Sequence, residues 1–268
     1  MTSINLHVVI PCLGLEALTR ACLLTLERAL QKTRSVTASV TLLDNASPFV
    51  FQREFFPNDL AIDIARLDRQ ASFSKACNLG ATRNGDADFY LFLNNDVLLH
   101  EDSLVDLLCC QRDFQAGITG MRLVFADSTI QHCGVLFDDG DRGPYHTCHK
   151  VHTSLVPRTP RELQAVTGAV FLVKRELFSA LNGFSEDYSF GYEDIDFCLR
   201  AKQLGATIAC AQEIDSIHFA NTSYNETSMK RINQSGWFSW PIGEDDSKST
   251  AIETNYETRW DFTHRSHP

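Results

Sequence analysis

The chain has 268 residues, 44% apolar and 22% charged, which suits one large folded α/β unit and excludes a disordered polar chain. Its 24 Lys and Arg against 34 Asp and Glu give a net charge of −10, the wrong sign for non-specific binding to nucleic acid or an anionic membrane. A phosphate ligand held through a divalent metal stays open, because such a site is itself built of carboxylates.

No apolar run approaches the ~20 residues of a membrane span, so no transmembrane segment is expected. The start, Met1-Thr2-Ser3-Ile4-Asn5, lacks the basic residues of a signal peptide. Nine cysteines, an odd number without CxxC spacing, predict free thiols and a cytoplasmic protein, not a disulfide framework.

Strand and helix signals alternate from the beginning. Leu6 to Ile10 is a β-rich run ending at Pro11, and Leu15, Leu18, Cys22, Leu26 and Leu30 then recur at helical spacing. Val40 to Leu43 is a second strand, closed by the turn-forming Asp44-Asn45-Ala46-Ser47-Pro48. Ala61 to Leu67 predicts a third strand, and Ser72 to Thr82 a helix with Ser72 as N-cap. Phe89 to Leu93 is a fourth strand running into Asn94-Asn95-Asp96, and Asp102 to Phe114 is helical. Such alternation predicts a mostly parallel sheet flanked by helices, with ligands outside the carboxyl ends of the strands. The clusters after Leu43 and Leu93 both fall there.

After Gly117 the pattern becomes irregular. Arg122 to Phe125 and Gly134 to Phe137 look like strands, followed by a polar, Gly- and His-rich stretch from Asp138 to Pro160. Val166 to Val173 predicts a buried strand, Arg175 to Leu181 and Asp194 to Leu204 helices, and Thr207 to Cys210 and Ile217 to Ala220 two short strands. Residues 221–268 form an aromatic-rich tail with weak periodicity that holds Trp237, Trp240 and Trp260. These rings would pack the tail onto the core or onto a second subunit, making a homo-oligomer, or stack on sugars.

The chemistry-bearing clusters each admit two readings. Neither GxGxxG nor GxxxxGK[ST] occurs, so a phosphate site needs something other than a glycine cradle. Asn94-Asn95-Asp96 can be an Asx turn closing a strand, or oxygen ligands for Mg²⁺ or Mn²⁺. Glu193, Asp194 and Asp196 can compensate a helix dipole, or one of them can be a base aimed across a cleft. Asp196 and Arg200, at i,i+4, suit a surface ion pair. His218 follows a strand and is structural or a ligand. His146, Cys148, His149 and His152 carry zinc-ligating atoms, yet they lie in one loop, where closed zinc sites draw on separated segments.

In their order and spacing these clusters resemble glycosyltransferase family 2, inverting enzymes of the GT-A fold, especially its rhamnosyltransferase-like branch. The resemblance runs from about His7 to His218: Val8-Val9-Ile10-Pro11, Leu42-Leu43-Asp44-Asn45-Ala46-Ser47, Phe73 through Asn78-Leu79-Gly80, and Leu93-Asn94-Asn95-Asp96-Val97. It continues through Thr167-Gly168-Ala169, Gly183-Phe184, and Tyr192-Glu193-Asp194-Ile195-Asp196-Phe197 with Arg200. Two departures stand out: Asn94 replaces the first Asp of the DxD motif, and Ala71-Ser72 replaces the usual Asn-Gly before Phe73.

The resemblance implies a GT-A domain over 1–220, with a nucleotide-sugar half (1–116), an acceptor-side half with a small β region (117–220), and the tail as an extension. It implies transfer of a sugar from a UDP- or dTDP-linked donor to an acceptor hydroxyl on a glycan, lipid-linked or protein acceptor, in surface polysaccharide or glycoconjugate assembly. Asp44 would meet the base. Pro11, Leu13, Asn78, Asn95 and Asp96 would line the donor, and Asp96, Asn94 and His218 would hold Mn²⁺ or Mg²⁺. Asp194 would be the general base, with Glu193 the second candidate. The alternatives are a nucleotidyltransferase, whose basic loop after the first strand is missing from Pro11-Cys12-Leu13-Gly14-Leu15-Glu16, and a non-catalytic domain that binds a nucleotide sugar or carbohydrate.

Overall fold

The computed structural model describes residues 3–137, 143–188 and 191–220; the tail and its three tryptophans lie outside them. The first half follows the apolar runs. Strand β1 is Ile4–Cys12, helix α1 Glu16–Lys32, β2 Val36–Asp44, β3 Ile62–Arg66, α2 Phe73–Ala81, β4 Phe89–Leu93, β5 Val97–Leu98 and α3 Ser103–Asp113. Ser72 caps α2 as expected, its hydroxyl accepting from the Lys75 amide at 3.2 Å. Strand β1 runs through Pro11, which is tolerated because the ladder to β4 has already ended at Val9.

The second half comprises β6 (Ile118–Val124), β7 (Ile130–His132), β8 (Val135–Phe137), β9 (Pro144–His146), β10 (Arg161–Glu162), β11 (Val170–Lys174), α4 (Arg175–Ala180), α5 (Glu193–Gln203) and β12 (Ile208–His218). Three expectations are corrected here. Strand β6 starts at Ile118, four residues early, and β11 starts at Val170, because 166–169 leave the ladder to form part of the site. The two short strands after Thr207 are one strand, β12, with an irregularity between Ala211 and Ser216. Its polar middle hid the continuity. The amides of Glu213 and Ile214 donate to Asp106 at 3.2 and 3.1 Å, and Asp215 pairs with the fully buried Arg122 at 2.9 Å.

The main sheet has the order β10-β12-β6-β11-β4-β1-β2-β3. Neighbours β1, β2, β3 and β4 pair in parallel, as do β6 and β12, whereas β11 is inserted antiparallel between β4 and β6. Alternate residues supply two cores. Val8, Ile10, Leu91 and Leu93 face Leu23 and Leu26 of α1 and Leu104 and Leu107 of α3. Val9 and Phe92 face Cys77 of α2, Phe178 of α4 and Phe197 of α5. Burial on both faces is why these strands read as unbroken apolar runs. Among the described residues no helix is long and apolar enough to cross a membrane. All nine cysteines carry free thiols.

Candidate active site

The carboxyl ends of β1, β2 and β4 open onto one edge, where short polar contacts fix the loops. The Gly14 amide donates to Ser47 Oγ at 2.8 Å, joining the loop after β1 to that after β2. Asn45 joins the second loop to the start of α2: its Nδ2 donates to the Ala71 carbonyl at 3.0 Å and its Oδ1 accepts from the Ala71 amide at 2.7 Å. Pro11 and Leu13 flank this junction at the end of β1, both half-buried.

Asp44 ends β2 and is 1% exposed. Its Oδ1 accepts from the Ser47 amide at 2.8 Å, and its Oδ2 is paired with Arg66 at the end of β3. Arg66 also donates to the carbonyls of Ser47 and Phe49, at 2.7 and 2.6 Å. The Asp44–Arg66 pair therefore orders the 44–49 loop, at the residue for which the resemblance implied contact with a base.

Two expected donor residues are turned elsewhere. The Asn78 amide binds the backbone of Phe184, donating to its carbonyl and accepting from its N–H, both at 2.9 Å. Asn95 is buried and donates to Thr19 Oγ1 of α1 at 2.9 Å. Each reads as a polar motif residue in sequence, but each anchors one element to another.

Asp96, Asn94 and His218 do converge. His218 Nε2 lies 3.1 Å from Asp96 Oδ1 and 3.4 Å from Asn94 Nδ2. Strand β12 delivers the histidine because it pairs antiparallel with β5, placing His218 opposite Val97. An imidazole nitrogen, a carboxylate and an amide form a donor set that suits a divalent cation.

Asp194 lies in the first turn of α5. Its Oδ2 accepts from the Gly168 amide at 2.7 Å and its Oδ1 from the Ile195 amide at 2.8 Å. Burial pushes its carboxyl above the usual range, while these amides pull it back. Glu193 is buried too, within electrostatic reach of Cys77 on α2; burial first, and the charge of Asp194 second, push it up to about 8. Asp196 is not at a surface. It is fully buried, and Arg200 donates to it at 2.7 Å while also bonding the Leu181 and Gly183 carbonyls at 2.9 and 3.1 Å.

The 167–169 segment connects the two halves. The Ala169 carbonyl accepts from the Asn94 amide at 2.9 Å, while the preceding residue, Gly168, holds Asp194 at 2.7 Å. The histidine loop separates into local contacts. His146 and His132 touch through their Nδ1 atoms at 2.8 Å, His149 Nδ1 reaches the Gln131 carbonyl at 3.1 Å, and His152 bonds Ser154 at 2.8 Å. Burial lowers His146 to about 4 and holds His132 well below the usual imidazole range, so both are neutral near pH 7. Among the described residues no group of three or more His, Cys, Asp or Glu is placed to hold a metal. A cation near His218 would therefore draw on Asn94 as well.

Residues 149–226 match a family model described as the N-terminal domain of galactosyltransferase. Over 159 residues the chain is 30% identical to the O-antigen biosynthesis protein RfbC of Myxococcus xanthus, covering 55% of this chain and 12% of that protein. The crystal structure of GalNAc-T7 with UDP, GalNAc and Mn²⁺ superposes with a TM-score of 0.64 at 16% identity, covering 96% of this chain and 49% of the other. The mannosyltransferase PcManGT from Pyrobaculum calidifontis, in complex with GDP-Man and Mn²⁺, gives 0.59 at 16% identity, covering 88% and 62%. The chain thus spans a small fraction of RfbC and about half of GalNAc-T7. In fold the chain is similar to the GT-A glycosyltransferases, and parts of its sequence are similar to the galactosyltransferase-domain model and to RfbC.

Proposed function

We propose that this chain is a metal-dependent, inverting glycosyltransferase of the family 2 type, moving a sugar from a nucleoside-diphosphate donor, UDP- or dTDP-linked, to an acceptor hydroxyl. Its place would be in surface polysaccharide or glycoconjugate assembly, a reading supported by the RfbC likeness. The observation that carries the proposal is the junction at 168–169, where adjacent residues hold a cation-suited cluster and a buried carboxylate. Donor diphosphate and attacking hydroxyl need that proximity.

Pro11, Leu13 and the ordered 44–49 loop would flank the nucleotide, with Asp44 acting through Arg66. Asp96, His218 and Asn94 would hold Mn²⁺ or Mg²⁺. Bound there, the cation would offset the charge that grows on the departing nucleoside diphosphate. Asp194 would take the proton of the acceptor hydroxyl as its oxygen attacks the anomeric carbon in line. A carboxyl raised by burial is a better base near neutrality than an exposed one. The amides of Gly168 and Ile195 fix its direction. Glu193 faces α2 and keeps its proton.

A panel of nucleotide sugars with Mn²⁺, read by donor hydrolysis and by transfer, tests this. Asp96→Ala should abolish turnover and the Mn²⁺-dependent part of donor binding. Asp194→Asn should leave donor binding intact and lower kcat by about 10²–10⁴-fold. Normal turnover in Asp194→Asn with a dead Glu193→Gln would reverse the assignment within the pair. Binding without turnover of any donor would favour the non-catalytic alternative.

A further inference from the structure

The short strand β7 supplies a contact that the motifs do not contain. Gln131 Oε1 lies 2.7 Å from His218 Nδ1. A carboxamide oxygen only accepts, so Nδ1 carries a proton. On the far side of the ring the Asn94 amide nitrogen, which only donates, lies 3.4 Å from Nε2. Toward that amide Nε2 is the acceptor. The two amide contacts favour a neutral ring protonated at Nδ1, while Asp96 Oδ1, nearer at 3.1 Å, competes for a proton on Nε2. A cation bound between Nε2 and that carboxylate would stand in the place of this proton.

Gln131 is itself held in place. Its neighbours Ile130 and His132 pair with Val124 and Leu123 of β6, and its carbonyl accepts from His149 Nδ1 at 3.1 Å. We propose that Gln131 is the positioning residue of the metal site, fixing His218 in the Nδ1-protonated form so that Nε2 is free to bind a divalent cation. The inference rests on the metal reading given above. Metal-binding histidines commonly depend on such an acceptor at their second nitrogen, and losing it typically weakens metal affinity by about 10–100-fold. With the carboxamide turned the other way, Nε2–H would bond Asp96 and close the site to metal, so the tautomer reports the proposal directly.

Two variants separate this role from packing. Gln131→Met keeps the length of the side chain and removes the acceptor; Gln131→Glu keeps an acceptor that cannot turn into a donor. Long-range ¹⁵N NMR on the metal-free protein should find His218 protonated at Nδ1 in wild type and Gln131→Glu, and the preference lost in Gln131→Met. Mn²⁺ binding, followed by EPR with UDP, GDP and dTDP in turn, should weaken about 10–100-fold in Gln131→Met and not in Gln131→Glu. If Gln131→Met keeps both the tautomer and wild-type Mn²⁺ affinity, the role of Gln131 is overturned and the metal reading stands. If the tautomer shifts as expected but wild type binds no Mn²⁺ with any of the three nucleotides, the metal reading falls, and this inference with it.

Discussion

Glu193→Gln should remove most of the pH dependence of stability between about pH 5 and 8. In the folded protein, burial and the charge of Asp194 move the Glu193 carboxyl from 4.5 to about 8. In the unfolded chain it ionises at its ordinary value, so between those limits only the folded form keeps the proton. The stability tied to that proton is complete below 4.5 and is lost as pH rises through 8. At about 1.4 kcal/mol per pH unit for one proton, the span corresponds to about 5 kcal/mol. Sharing of the proton with Asp194 spreads part of the effect, so a loss of about 3–5 kcal/mol is expected in wild type. Glutamine has no such proton to release. Urea unfolding at several pH values, compared at constant m, reads the difference. A wild-type midpoint that stays level over this range, or a variant midpoint that falls as steeply, would refute the reasoning and make Glu193 an ionised group at neutral pH.

Asp196→Ala strips a buried partner from Arg200, which is itself only 15% exposed, and should cost about 3–5 kcal/mol in urea unfolding. A loss near zero would mean that the Leu181 and Gly183 carbonyls suffice for the guanidinium. Gly183→Ala should lower stability by about 1–3 kcal/mol by calorimetry. Gly183 has φ +74°, and an added Cβ would meet Asn78 Oδ1 at 2.5 Å, an atom pinned by the Phe184 amide. An unchanged melting temperature would show that the 181–184 turn relaxes freely.

The first half of the fold was legible because its strands are buried on both faces and its helices on one, so periodicity and burial coincide. Phe89 to Leu93 is bounded to the residue. Strand β12 was not, since Gln212, Glu213 and Asp215 break the apolar pattern and their partners, Cys133, Asp106 and Arg122, are remote in sequence. At the site, the convergence of Asp96, Asn94 and His218 was implied by the family resemblance, whereas the residues alone left a turn and a structural histidine open. Asn78 and Asn95 bind Phe184 and Thr19, contacts that sequence does not foretell because an amide's chemistry is the same toward a ligand and toward a distant part of the chain. The Asp196–Arg200 spacing gave the pair but not its burial. Gln131 left no signal beyond a three-residue strand, too short for periodicity to register.

Strand β11 lies antiparallel between β4 and β6, with Val170 opposite Leu93. During synthesis the open edge of β4, the uncharged Phe-Tyr-Leu-Phe-Leu, waits for residues made much later. An unpaired apolar edge of this kind invites pairing with other chains. Residues 1–116 are therefore not a module that can be cut free and grafted elsewhere. The seam between β4 and β11 runs directly into the bond between Ala169 and Asn94, so Asn94 and Asp194 are joined through residues 168–169 only once β11 is paired.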